Sequence, residues 1–140
     1  MAAALFLESS KKASALGDDT LQLVNHERVI RRIPLLERST ELDKLALQHA
    51  KRMAKQQRAF HSVSNLEQLQ AKLGGRLEVG ENVQMGESTS TFDLHEKIMS
   101  STDSVQRINI LSNVFDEFGM GVARDRNGRI YMAQLFRSDC

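Results

Sequence analysis

The stretch from Thr40 to Ala54 constrains this chain more than any other. Leu42, Leu45, Ala46, His49, Ala50, Met53 and Ala54 recur at helical spacing and form one continuous apolar face. Such a face is stable only when covered, so this helix must lie on another layer of structure. Thr40-Glu41-Leu42-Asp43 supplies its start, a hydroxyl residue followed three positions later by a carboxylate. Leu45, Ala46, His49 and Met53 are expected to face the core. A histidine inside such a stripe is ordinarily a buried residue with a hydrogen-bond partner.

Other elements follow from local signals. Asp18 and Asp19 are N-caps for a helix expected from about Thr20 and stopped by Pro34. Residues 1–16 read as a loose lead-in to a domain over residues 17–138. Ser64-Asn65-Leu66-Glu67 opens a short helix that Gly74-Gly75 ends, and residues 76–83 read as extended. Ser90-Thr91-Phe92-Asp93 opens a helix carrying Leu94, Ile98 and Met99, and a helical turn is expected over residues 105–111. The end of the chain changes period. Residues 119–123 alternate small and apolar, residues 130–136 are rich in strand formers, and Asn127-Gly128 between them predicts an antiparallel hairpin. Helices first and a hairpin last give an α+β class rather than a βαβ repeat.

Composition narrows the function classes. The 140 residues are 41% hydrophobic and 26% charged, an ordinary balance for one globular domain. The formal net charge is only +1. The basic clusters Arg28, Arg31, Arg32 and Lys51, Arg52, Lys55, Arg58 are interleaved with Glu27, Glu37, Glu41 and Asp43, and read as solvated helix faces. With no Trp and one Tyr there is little to stack on bases, so no nucleic-acid partner is expected. The one cysteine, Cys140, excludes an internal disulfide. The apolar run after Met1 is short and has no basic residues before it, so neither a secretory signal nor a membrane span is expected.

Generic catalytic motifs are absent: no P-loop, no H-E-x-x-H, no C-x-x-C and no G-x-S-x-G. Two segments stand out. His61 follows the long helix in a polar His-Ser step, and Gly80-Glu81-Asn82 interrupts an extended run. An imidazole and a carboxylate meeting in a cleft bind a metal, polarise water or grip a polar ligand. The plainer alternative is a loop histidine and a carboxylate that caps backbone amides.

Several segments in order resemble the CAP superfamily (sperm-coating and pathogenesis-related proteins). Leu23 to Arg28 is similar to its L-x-N-x-x-R start, and Leu42 to Ala54 to its L-x-x-x-A-x-x-H-A-x-x-M-A helix. Phe60-His61-Ser62, Gly80-Glu81-Asn82-Val83 and Arg107-Ile108-Asn109-Ile110-Leu111 are similar to its H-S, G-E-N-[IV] and R-x-N-I-L motifs. Phe115, Gly119, Gly121, Tyr131, Gln134 and Phe136 are similar to its closing pattern. The likeness is closer to the bacterial-type, disulfide-free members.

The resemblance implies a three-layer α-β-α sandwich with a central, mainly antiparallel sheet. It also implies a cleft with two histidines and two acids, in which His61 matches the first histidine and Glu81 the first acid. Gln106 stands where the second histidine belongs, and Glu96 is the only carboxylate near the second acid's place. The expectation is a non-catalytic binding domain for a small apolar or amphipathic ligand or a protein partner. Its ligand-binding residues would be His61, Glu81, Asn82, Gln106 and Asn109. The alternatives are a hydrolase with His61 as base and Glu81 as its orienter, and a cation-dependent interaction module. No cofactor is expected: His61 is the one candidate metal ligand, and a second imidazole would have to be His26, His49 or His95. An extracellular setting is implied by the resemblance alone.

Overall fold

A computed structural model of the chain describes residues 2–62, 66–67, 71, 78–87, 90–100 and 104–138, with backbone alone over residues 2–14. The helices are α1 (Ala2–Val29), α2 (Thr40–Gln56), α3 (Thr91–Met99) and α4 (Val105–Leu111). The strands are β1 (Glu37–Arg38), β2 (Val79–Gly86), β3 (Glu117–Arg124) and β4 (Ile130–Arg137). They form one sheet in the order β1-β3-β4-β2, antiparallel except for the short parallel pairing of β1 with β3.

The sheet is the middle layer of the α-β-α sandwich. Alternate residues of β4 point to opposite faces. Tyr131, Ala133 and Leu135 pack with Leu42, Ala46, Ala50 and Met53 of α2. Met132 and Phe136 pack on the other side with Val24 of α1, Leu94 and Ile98 of α3, and Ile110 of α4. All of β4 is therefore buried. Leu45 is half-buried against the α2 layer, while Ala46, His49 and Met53 are buried as their spacing predicts.

β3 permits this packing through its glycines. A Cβ at Gly119 would lie 2.4 Å from the backbone N of Asp43, and one at Gly121 would lie 2.2 Å from that of Leu47. The α2 backbone rests directly on the strand there, closer than any side chain allows. The caps are local. Ser39 Oγ accepts from Leu42 N, Ser90 Oγ from Asp93 N and Ser104 Oγ from Gln106 N. The N-cap of α2 is thus Ser39, one residue before the expected Thr40.

Two expectations are corrected, and a third is refined. The first helix starts at Ala2, not near Thr20. The segment read as a lead-in holds Ala, Leu, Lys and Ser and no proline, so nothing in it stops a helix from running through Asp18 and Asp19. Arg28 is fully buried rather than part of a solvated basic face. Its guanidinium donates to the carbonyls of Pro34 (2.8 Å), Ile110 (3.0 Å), Ser112 (2.7 Å) and Phe115 (3.1 Å). The expected antiparallel hairpin forms, and its turn contains Asn127-Gly128 within a longer link. Arg124 pairs with Ile130, Gly128 N donates to Asp125 O, and Gly128 alone in that link has positive φ. Asp125 Oδ1 accepts from the N–H groups of Asn127 and Arg129, which widens the turn. Of the short helix expected from Ser64, Leu66, Glu67 and Ala71 are helical; its remainder and Gly74-Gly75 lie outside the described residues.

The glycine contact gives a direct test. Gly121→Ala should lower the urea unfolding free energy by about 3 kcal/mol, because the methyl meets backbone that cannot turn aside. Gly128→Ala, at φ +83° with nothing within 4 Å, should cost only about 1 kcal/mol from backbone strain. Equal effects at the two positions would contradict the packing.

Candidate functional site

β2 is an edge strand, and the sequence-predicted residues gather around its free edge. His61 and Glu81 lie on the α2 face. Gln57 ends α2 in a left-handed conformation at φ +56°. The chain then turns back along the helix, and His49 Nε2 meets the carbonyl of Phe60 at 2.5 Å. His61 is thereby set beside β2, where its Nδ1 lies 3.0 Å from Glu81 Oε1. The same oxygen accepts from Ser62 N at 2.7 Å. The Glu81 side chain is 1% exposed and that of His61 57%. A buried carboxylate thus fixes an exposed imidazole. Glu81 Oε2 has no partner among the described residues.

Asn82 and Asn109 lie on the opposite face of the strand. Asn82 is fully buried and its amide donates to Gln106 O and Gln134 Oε1, both at 3.0 Å. Asn109 donates to Asn82 Oδ1 (2.9 Å) and Glu81 O (3.4 Å), and Gln106 Nε2 donates to Val83 O (3.1 Å). The Glu81 and Val83 carbonyls point away from β4, so α4 caps the free edge with two side-chain amides. Gly80 leaves the room for this: a Cβ there would lie 2.9 Å from both Asn109 Oδ1 and the Phe115 ring. Gln106 Oε1 is buried and has no partner among the described residues.

The structure therefore joins His61 to Glu81, and Asn82 to Asn109 and Gln106, with β2 between the two groups. It does not bring the other named residues to His61. Glu96 is exposed on α3, His26 is exposed on α1, His49 is buried under Phe60, and His95 is buried beside Glu27. A divalent cation does not fit this donor set. His61 Nδ1 is engaged by Glu81, the Gln106 amide is turned to Val83, and no three His, Cys, Asp or Glu side chains converge among the described residues.

One neighbour escaped the sequence reading. Arg52 donates to Ser62 Oγ at 3.3 Å and approaches His49 Nδ1 at 3.5 Å, which places a guanidinium beside the His61-Ser62 step. Its spacing of three from His49 on α2 was the available signal. Three surface clefts, of about 540, 460 and 460 Å³, are lined by residues other than His61, Glu81 and Gln106. No helix among the described residues is long and apolar enough to cross a membrane.

Comparison with known proteins agrees with this architecture. The model of the cysteine-rich secretory protein family, CAP, matches residues 21–136. An outer surface protein from Borrelia burgdorferi superposes with a TM-score of 0.70 at 13% identity, covering 84% of this chain and 88% of that one. An extracellular protein containing a SCP domain from Bacillus anthracis gives 0.70 at 22% identity, over 91% of this chain and 41% of that one. A cysteine-rich secretory protein from Staphylococcus aureus gives 0.72 at 18%, over 91% and 39%. At these identities the structures share the fold. No curated protein matches the chain in sequence.

A second histidine–carboxylate pair, of buried His95 and half-buried Glu27, joins α1 to α3: His95 Nε2 lies 3.3 Å from Glu27 Oε1, and Arg31 Nη1 lies 2.7 Å from Glu27 Oε2. Burial alone would raise the Glu27 pKa, but the hydrogen bonds from Arg31 and His95 outweigh it and hold the carboxyl below its ordinary 4.5. A depressed carboxyl stabilises the fold above its unfolded value, and that contribution is lost as pH falls through the folded value. Glu27→Gln should therefore melt at lower temperature than the parent at neutral pH, with the gap closing as pH drops below about 4.5. A gap that is constant with pH would show that the Glu27 charge is not what couples the helices.

Proposed function

The chain belongs to the cysteine-rich secretory protein (CAP) family, and on that premise we propose that it is a non-catalytic binding domain. It grips a small apolar or amphipathic ligand, or a protein partner, at the edge of β2 around His61, Glu81 and Gln106.

The observation that carries this reading is an exposed imidazole fixed by a buried carboxylate, with no nucleophile among the described residues aligned on it. Hydrolysis through His61 as base needs a hydroxyl, thiol or water held against it. The adjacent hydroxyl, Ser62 Oγ, accepts from Arg52, and the Ser62 N–H is taken by Glu81 Oε1. Ser62 is a buried part of the frame. Gln106 donates and accepts hydrogen bonds but does not titrate, so it supplies no second acid or base.

Apolar surface is available on α4, across the edge of β2 from His61. Val105 and Ile108 are 68% and 60% exposed on α4, the same helix that presents Gln106 to the edge of β2. A polar head at His61 and a chain laid against α4 match an amphipathic ligand. The names of the Borrelia and Bacillus relatives place those proteins at the outer surface and outside the cell. An extracellular setting for this domain is part of the proposal.

Purified protein should not hydrolyse a generic peptide or a p-nitrophenyl ester above the buffer rate. A fluorescent fatty-acid analogue should bind, and His61→Ala should weaken it about tenfold, or ~1.4 kcal/mol. Hydrolysis by the parent that disappears in His61→Ala would replace this reading with the hydrolase.

A further inference from the structure

Charge is segregated along α2 in a way that the net +1 conceals. Near its N-terminal end the cations are matched: Arg38 with Asp18 and Asp43, and Arg137 with Glu41 and Glu117. At its C-terminal end they are not. Two adjoining clefts of about 460 Å³ each lie between α2 and the β3–β4 turn and share Gln57 and Asp125. Lys51, Lys55, Arg124, Arg126 and Arg129 line them, against Glu87 and Asp125. Five cations less two carboxylates leave an excess of three positive charges.

None of the five forms a salt bridge among the described residues; Arg124 is held by Gly128 O and Arg129 contacts Met85 Sδ. Asp125 is turned inward, with Oδ1 taken by Asn127 N and Arg129 N and Oδ2 by the Tyr131 hydroxyl. Among the described residues, the two lysines and Arg126 have no hydrogen-bond or ion-pair partner, and they line a concave surface.

We propose that this surface is a second binding site, separate from the edge of β2, for a linear anionic glycan carrying sulfate or uronate groups. The lining selects among polyanions. No aromatic side chain among the described residues lines the clefts, so bases have nothing there to stack on. The large exposed hydrophobics, Val29 through Val114, lie on or beside α1, α3 and α4, so nothing there inserts into a bilayer. Gln57 and Asn127 supply amides for hydroxyl groups between the charges.

The test is heparin binding by calorimetry, with duplex DNA and phosphatidylglycerol vesicles as comparators. Heparin should bind at low ionic strength and weaken steadily with added salt. Lys55→Glu/Arg126→Glu should weaken it at least about tenfold, while Lys97→Glu on α3 changes it less than about twofold. His61→Ala should leave it unchanged, which separates this site from the one proposed above. If the double variant fails to fold, Lys51→Gln/Lys55→Gln takes its place. No heparin binding, binding retained in the charge variants, or tighter binding of DNA or vesicles than of heparin would each overturn the proposal.

Discussion

Everything in this fold depends on how closely α2 approaches β3. A helix and a sheet normally stand apart by the thickness of their side chains. Here Gly119 and Gly121 remove that thickness, and the backbone around Leu42 to Leu47 settles onto the strand. Asp43 then reaches the strand itself, accepting from Met120 N at 2.9 Å while it holds Arg38. The register of α2 against β3 is fixed by backbone sterics and one charged hydrogen bond, not by apolar packing alone. With α2 fixed, so is the turn after Gln57, and with it the place where His61 meets Glu81.

A second constraint orders the opposite layer. Arg28 is a cation with no exposure, and burial lowers its pKa, partly offset by Asp116. An unpaired buried charge would be costly, but four carbonyls receive its guanidinium. Those carbonyls come from the end of α4 and the segments before β1 and β3, so one side chain ties α1 to all three. Asn25, one turn earlier, pairs with both backbone groups of Leu36 at 3.0 and 2.9 Å. The L-x-N-x-x-R segment is thus a polar clamp that sets where α4 lies along β2.

The sequence revealed whatever its periodicity or local chemistry encodes. The α2 stripe, the Ser90 cap and the strand character of Ile130 to Phe136 are local signals, and the structure follows them. Arg28 was misread because periodicity cannot report carbonyls 82 to 87 residues away. Asp125 was missed as the organiser of the turn because Asn-Gly is the more familiar signal, yet a carboxylate that accepts two N–H groups overrides it. At the site, the His61–Glu81 pairing was legible through motif resemblance. The intervening sheet was not, since which face a residue takes depends on the register of β2 against β4. Charge followed the same pattern: acids interleaved with bases in the chain lie at the far end of α2 in space.

Gln106 shows how one side chain can close an exposed strand edge. Its amide caps Val83 O on an edge strand that would otherwise offer unpaired backbone to another chain. An imidazole at this position could donate the same bond only through one nitrogen, and its charge would then follow pH. Glutamine keeps the donor at every pH and removes a titrating group from the neighbourhood of Glu81. The cap on the edge does not depend on pH, and the side-chain amides of Asn82, Gln106 and Asn109 are held by hydrogen bonds around β2. His61 is the exception, since its outer face is open to solvent while Glu81 holds it from beneath. The frame that holds His61 is built from a buried strand carboxylate and the backbone that follows α2, so the direction of the imidazole is set by the fold rather than by solvent.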